Sequence, residues 1–381
     1  MTKIFLIRHA EAEGNLYRIV QGQMDAAVTG RGFRQIDALS ERFRDVPLDA
    51  LYSSDLRRTV TTASAITRYH ELSLIKMPEL REINLGECEG LSFGDLDHID
   101  PVQMSYFNND PMRWRAPGAE TFAECTDRVY NALLRIAEEN PGRTVAVVSH
   151  GMAIRSFLAK LLDVKSENIR TLPHGDNTAV SLVEYENGSF SVKYYNDNSH
   201  LPPELSTFSK QSWWKSENGG KDEQNLYFEP FDVAQNPELY AELYAESWLA
   251  AHGNLIGFEA EGYVKDALAH IDCDPKSVLG AYDAKGTLVG IIDLDTRRGR
   301  VSGYGWISLI CLREKYRTKG LGIQLLGRAI VNFQQLGRSA VRLYVSSENS
   351  RAIGFYGHYG FERINTVPGC GAPLYLMEKK I

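Results

Sequence analysis

Two short β-branched runs, Lys3–Ile7 and Thr144–Val148, each stop at a histidine: the first leads into Arg8-His9 and the second into Ser149-His150. A helix-compatible segment follows each. This alternation predicts strands of an α/β sheet with helices packed against it. In such sheets ligands collect beyond the carboxyl ends of the strands, so His9 and His150 each stand where a binding crevice forms.

A chain of 381 residues exceeds what one hydrophobic core usually organises. Two domains are therefore expected. A stretch from Leu201 to Asn225, with two prolines, a Gly-Gly pair and dispersed polar residues, separates two regularly patterned segments. The expected division is a domain over 1–203, a linker over 204–225 and a domain over 226–381. Trp213 and Trp214 are unusual for a flexible spacer and either pack onto a domain or remain free. Composition, with 43% hydrophobic and 24% charged residues, is that of a globular protein that buries real cores. No apolar run approaches the roughly 20 residues of a bilayer span, and charge enters the amino terminus too early for a signal peptide. A cytoplasmic location without membrane attachment is expected.

Five cysteines, Cys88, Cys125, Cys273, Cys311 and Cys370, are widely spaced and form no zinc-like cluster, so free thiols and no bound metal are expected. The net charge of −7 argues against nucleic acid as a partner. An acidic chain that handles anions must gather its positive charge in small sites, so the placement of individual arginines matters more than their number.

In the second half, Asn236-Pro237 is a helix-start signal ahead of an apolar face formed by Leu239, Tyr240, Leu243, Tyr244 and Trp248. Strands are expected over Ser277–Tyr282, Thr287–Leu294 and Gly305–Leu312. A basic, glycine-containing loop then opens into a helix carrying Ile323, Leu326, Ile330 and Phe333 on one face. Val341, Leu343 and Val345 alternate as a further strand.

Phosphoryl transfer needs an in-line nucleophile, cations around the equatorial oxygens and an acid for the leaving oxygen. The first half supplies all three. LIRHAEAEGN, LYSSDLRRTVTTA, LREINLGECEG and VVSHGMAIRSFL resemble, in order, four blocks of the histidine phosphatase superfamily, the phosphoglycerate mutase-like proteins. The resemblance implies a three-layer α/β domain. It makes His9 the phosphate acceptor and Glu82 the proton donor, with Arg8, Asn15, Arg58 and His150 holding the phosphoryl oxygens. For these roles His9 must be neutral to attack, whereas Glu82 must carry a proton before it can give one up. Mutases of the family follow the acidic residue with a Tyr-Gly-Gly element, which is absent after Glu82, so hydrolysis is expected. Between Leu91 and Glu120, the residues Tyr106, Phe107, Arg113, Trp114 and Arg115 are candidates to cover the pocket. Either Arg113 or Arg115 binds a second anionic group of the substrate, or the two are a solvated pair flanking a packed Trp114.

The loop Arg313-Glu-Lys-Tyr-Arg317-Thr318-Lys319-Gly320-Leu321-Gly322 has the outline of a pyrophosphate cradle at a helix start. With SSENSRAIGFYGHYGF downstream, it resembles the two signatures of GNAT acetyltransferases. That resemblance implies an α+β domain with a central mixed sheet and acetyl-CoA as co-substrate. Ile310 and Leu312 would lend backbone groups to the pantetheine arm, and Arg317, Thr318, Lys319, Gly320, Leu321 and Gly322 would hold the diphosphate. Asn349 would contribute to the cofactor site, and Tyr356 would protonate the departing thiolate or else serve only to pack its helix. Arg313, Lys315 and Lys319 either meet the 3′-phosphate of CoA or face solvent. No glutamate on the Trp306–Leu312 strand supplies a base, which leaves water reached from Asp293, Asp295 or Glu314.

The expectation is a bifunctional enzyme: a hydrolase of a small phosphorylated metabolite joined to a transferase acting on a small amine or a protein amine. Two alternatives stand beside it, a phosphatase regulated by a CoA-sensing domain and a phosphoglycerate-type mutase. The sequence leaves open whether a homodimer forms.

Overall fold

The computed structural model describes residues 1–210 and 225–381. Trp213 and Trp214 lie outside the described residues. The chain forms two compact units. The first runs from Met1 to Leu91 and resumes at Ile99; the second contains Ser92–His98 and the residues that follow the undescribed stretch.

The elements of the first stretch are β1 (Thr2–Arg8), α1 (Glu13–Tyr17), α2 (Gly30–Phe43), β2 (Ala50–Ser53), α3 (Arg57–Thr67), β3 (Leu74–Lys76), α4 (Phe93–Ile99), α5 (Pro101–Asn109), α6 (Phe122–Glu139), β4 (Thr144–Ser149), α7 (Gly151–Leu161), β5 (Val180–Glu186) and β6 (Ser189–Asp197). Their sheet has the order β3-β2-β4-β1-β5-β6. Ile4, Leu6 and Ile7 of β1 and Val145–Val148 of β4 have almost no exposed surface, as expected for central parallel strands covered on both faces. Ile7, Ala146 and Val148 pack with Ile36, Leu39 and Phe43 of α2 and with Ala63 and Ile66 of α3. Helices α6 and α7 pack on one another and against β1. Local signals set the helix starts: Thr29 Oγ1 accepts from Gly32 N at 3.0 Å, and Thr121 with Glu124 forms a reciprocal cap on α6.

Strand β5 runs antiparallel to β1, with Val180 opposite Ile7. The residues entering β5 therefore sit at the carboxyl ends of β1 and β4, where Arg8-His9 and His150 emerge.

The second unit holds β7 (Tyr227–Pro230), α8 (Pro237–His252), α9 (Ala260–Cys273), β8 (Val278–Tyr282), β9 (Leu288–Asp295), β10 (Tyr304–Leu312), α10 (Gly322–Gln335), β11 (Ala340–Ser346), α11 (Ser350–His358), β12 (Glu362–Val367) and β13 (Leu374–Lys380). The mixed sheet has the order β12-β13-β11-β10-β9-β8-β7. Tyr240, Leu243, Val278, Ile291, Leu309 and Cys311 share one core. Leu325, Leu326, Ile330 and Phe333 of α10 are fully buried, each worth about 1.5–3 kcal/mol relative to exposure, and Ala329 is buried with them. A Cβ on Gly305 would stand 2.2 Å from the Phe333 ring, so the absence of a side chain there admits that packing. Ser92–His98 is integral to this unit: Ser92 Oγ donates to Leu226 O at 2.8 Å, Phe228 N donates to Asp95 Oδ1 at 2.8 Å, and Arg328 pairs with Asp95 at 3.3 Å.

Candidate active sites

His9 is 3% exposed, at the end of β1. Its Nδ1 lies 2.7 Å from the carbonyl oxygen of Ala10. A carbonyl only accepts, so Nδ1 carries the proton and Nε2 presents its lone pair. The His9 carbonyl in turn accepts from Asn177 Nδ2 at 2.9 Å and Thr178 N at 3.3 Å, which fixes the backbone that aims the ring. Burial, followed by the charges of Arg58 and Arg8, holds the His9 pKa well below 6.5. The imidazole is neutral at physiological pH.

His150 lies with its ring centroid 5.3 Å from that of His9. It is fully buried and likewise depressed, first by burial and then by Arg58. Arg58, at the start of α3, donates from Nη1 to Met24 O and from Nη2 to Gly22 O, both at 2.7 Å. Burial lowers its pKa to about 10, which leaves it charged. Arg8 Nη1 donates to Gly175 O at 2.5 Å. Four buried nitrogens, Arg8 Nε, Arg58 Nε and both ring nitrogens of His150, have no protein partner. Buried polar groups are ordinarily paired. At least three of these four are N–H donors, and their convergence on one crevice suits an anion rich in acceptor oxygens. Glu82 stands at the start of α7, where its carboxylate accepts from Ala153 N at 2.8 Å, Ile83 N at 3.0 Å and Met152 N at 3.1 Å. Asn15 Oδ1 accepts from Ala12 N at 3.0 Å, so its amide NH2 is the group left to face a ligand.

In the second unit, β10 pairs with β11 only over Tyr304–Trp306, whereas its ladder with β9 continues to Leu312 across a bulge between Ile307 and Leu309. Beyond Trp306 the parallel strands part, which opens one edge of the Ile310–Leu312 backbone. The loop that follows is shaped by its own backbone: Thr318 has φ +63° and Gly320 φ +76°. A Cβ on Gly320 would meet nothing within 4 Å. No side chain caps the start of α10 at Leu321, and Gln324 N donates to Leu321 O at 3.0 Å, so the N–H groups of Gly322 and Ile323 and the helix dipole are what the turn offers an anion. Arg317 turns inward, donating from Nε to Leu312 O at 2.8 Å and from Nη2 to Glu246 at 3.0 Å. Lys315 and Lys319 flank the Tyr316 ring, while Asn349 Oδ1 caps α11 through Ala352 N at 3.0 Å. Tyr356 is half-buried on α11, and burial, then the neighbouring Cys311, pushes its phenol well above 10. It stays protonated.

The histidine phosphatase superfamily (branch 1) model matches residues 4–198, half of the chain. The chain belongs to that superfamily. The acetyltransferase (GNAT) family model matches residues 225–361, so a histidine phosphatase unit is followed by a GNAT unit, as the motifs predict. The uncharacterized phosphatase PhoE of Bacillus subtilis is 29% identical over 203 residues, which make up 53% of this chain and 97% of that protein. The probable phosphoglycerate mutase GpmB of Salmonella choleraesuis is 30% identical over 206 residues, 53% of this chain and 95% of GpmB. The structure of YhfR from Bacillus stearothermophilus superposes with a TM-score of 0.51 at 28% identity, covering 52% of this chain and 99% of YhfR. No helix among the described residues is long and apolar enough to cross a membrane, and none of their side chains form a metal-binding group.

Within the histidine phosphatase unit, the insert side chains are spent locally. Arg113 donates to the Tyr106 hydroxyl at 2.6 Å and stacks over that ring, while Arg115 Nη1 donates to Met112 O at 2.8 Å and Trp114 O at 2.6 Å. Trp114 is buried edge-on to Phe107. The geometry is that of a basic pair flanking a packed tryptophan. Sequence reasoning missed the wall that enters β5. There Arg155 Nη1 donates to His174 Nε2 at 2.6 Å, and Asp176 and Asn177 are buried beside Arg8 and His9. Its available signal was the polar string His174-Gly-Asp-Asn-Thr178 directly ahead of an apolar run.

In the GNAT unit, Asp293 lies buried with Oδ2 accepting from Tyr240 at 2.6 Å and Oδ1 at 2.7 Å from His270 Nδ1, so both of its oxygens already hold structural partners. Asp295 accepts from Arg297 N and Arg298 N, and Glu314 is exposed. Glu246 was missed. It lines a cavity of about 460 Å³ with Arg317, Glu348, Asn349 and Arg351, and its signal was a carboxylate three residues beyond Leu243 on the apolar face of α8.

Proposed function

We propose that the chain is a bifunctional enzyme, a phosphomonoesterase acting through a phosphohistidine over 1–203 and an acetyl-CoA-dependent N-acetyltransferase over 226–381, with the connection between them falling within 204–225. The observation that carries the first activity is a neutral His9, its Nε2 free to attack, facing a crevice ringed by unpartnered N–H groups of Arg8, Arg58 and His150.

The steps balance with these residues alone. His9 Nε2 forms a bond to phosphorus as the ester oxygen leaves, and that oxygen takes a proton from Glu82. Arg8, Arg58, Asn15 and the N–H of His150 hold the three equatorial oxygens. Water then attacks the phosphohistidine, giving its proton to Glu82 and freeing inorganic phosphate and His9. The backbone donors on Glu82 keep its carboxyl fixed through both steps.

For the second activity, the opened edge after Trp306, the Gly320 turn and the uncapped start of α10 fit a pantetheine diphosphate. Acetyl-CoA, when bound, supplies the activated acetyl group. Tyr356 holds a phenolic proton for the departing sulfur. Glu246 lines the cavity beside Arg317 and Asn349; its Oε1 accepts from Arg317 Nη2 and Glu314 N, which leaves Oε2 as the oxygen to take the proton of the incoming amine.

A screen of phosphorylated metabolites with wild type beside His9→Ala, together with acetyl-CoA turnover over an amine panel, tests both halves. Phosphate release that needs His9, and acetyl transfer that needs Tyr356, are expected. The likeness to GpmB favours one rival reading, a mutase. Isomerisation of phosphoglycerate without net phosphate release would select it. CoA binding without turnover of any amine would instead select a sensor.

A further inference from the structure

Residues 205–208 follow the stretch matched to the histidine phosphatase superfamily and precede the GNAT match. A spacer there would be solvated. Thr207 instead is 3% exposed and anchored twice. Its Oγ1 accepts from Gln35 Nε2 at 3.1 Å and donates to Glu11 Oε2 at 3.4 Å. Gln35 Nε2 also donates to Leu205 O at 2.7 Å, and Gln35 Oε1 accepts from Glu11 N at 2.8 Å. The second anchor is the buried Asp176, whose Oδ2 accepts from Ser206 Oγ at 2.5 Å and whose Oδ1 accepts from Thr207 N at 3.2 Å. The next residue, Asn177, is the one that donates to the His9 carbonyl. Phe208 then lays its ring 5.7 Å from the Arg8 guanidinium carbon.

We infer that residues 205–208 form a strap that completes the phosphatase site, with Ser206, Thr207 and Phe208 acting as positioning residues for Arg8, His9 and Glu11; the inference rests on the phosphatase reading above. The strap touches or braces three of the four residues Arg8–Glu11 from outside the family match. Glu11 and Asp176 are buried carboxylates, and such groups are tolerated only with their hydrogen bonds made. Glu11 also accepts from Thr29 and Arg31, and Asp176 from the N–H groups of Thr207 and Asn177, so removing the strap's hydroxyls takes one of several donors from each and relaxes the turn that aims His9 Nε2 without orphaning either carboxylate. Displacement of a nucleophile by a fraction of an ångström to an ångström costs rate out of proportion to stability.

The test uses the full chain and p-nitrophenyl phosphate, with orthovanadate binding measured by calorimetry. In Ser206→Ala/Thr207→Val, kcat is expected to fall by about 10- to 100-fold with KM changed less than threefold. Thr207→Ser should recover to within threefold of wild type, and Phe208→Ala should weaken vanadate binding several-fold through Arg8. Wild-type rates in the double variant overturn the strap, as does a Thr207→Ser variant that falls as far as the double variant or a loss that tracks the thermal midpoint. A wild type that neither hydrolyses the ester nor binds vanadate overturns the phosphatase reading itself, and the strap with it.

Discussion

The site proposed for the histidine phosphatase unit is made of side chains, and the one proposed for the GNAT unit is made largely of backbone. Arg8, His9, Arg58 and His150 are buried close together, and burial and arginine charge keep both histidines neutral. In the GNAT unit the corresponding work falls to parted strands, two residues at positive φ and an uncapped helix start. The histidines differ in the same way. His270 is buried too, which by itself would lower its pKa, but hydrogen bonding to Asp293 and the charges of Asp293 and Asp295 carry it above 6.5. A side-chain site should fail at a single truncation, whereas a backbone site should fail only when the turn or the reacting proton is lost.

The largest expected effect breaks the comparison most directly. Arg58→Ala should lower phosphatase kcat/KM by about 10³-fold, since it removes a desolvated cation from the transferring group. Acetyl transfer in the same preparation should be unchanged. Next, Tyr356→Phe should cut acetyl transfer by about 10²-fold, most sharply with the poorest acceptor amine. An undiminished rate would return Tyr356 to a packing role. Smaller again, Gly320→Val should raise the KM for acetyl-CoA about tenfold, because a β-branched residue resists φ +76°. Lys319→Ala should change that KM less than threefold. A larger loss for Lys319→Ala than for Gly320→Val would invert the assignment of backbone and side chain.

Acid sharpens the contrast through stability. In the first unit His9, His150 and His174 are held well below 6.5 and His200 at about 4, all chiefly by burial. The unfolded chain binds these protons more readily, so their contribution is present above pH 6.5 and is lost as pH falls toward the folded values. Each costs at most about 1.4 kcal/mol per pH unit within that window. His270 has the opposite sign: its contribution is fully present below pH 6.5 and is lost as pH rises through its raised folded value. Hydrogen exchange read separately in β4 and β9 between pH 7.5 and 5.5 should show the first unit weakening relative to the second. Parallel changes in both would contradict the assignment.

How much was legible in the sequence follows the same division. The places of His9 and His150 at strand ends could be read because each β-branched run is local, and the blocks that carry Arg58 and Glu82 because they are contiguous. The expected second-half strands and helix starts also match closely: Gly305–Leu312 became Tyr304–Leu312, and α8 begins at Pro237 as its Asn-Pro signal indicates. Contacts made across the fold stayed hidden. Arg155 meets His174 and Asp176 meets Ser206 only once β5 pairs antiparallel with β1, a pairing that no local pattern announces. Ser92–His98 joins the second unit through Leu226 and Phe228, more than 130 residues away in sequence. Glu246 gains its partner, Arg317, only from the loop after β10, 71 residues on in sequence.

The central claim is that His9 becomes phosphorylated at nitrogen. Wild type quenched during turnover of a radiolabelled phosphomonoester should carry acid-labile, alkali-stable label, and His9→Ala should carry none. Label of the same stability that persists after His9 is replaced would contradict the account.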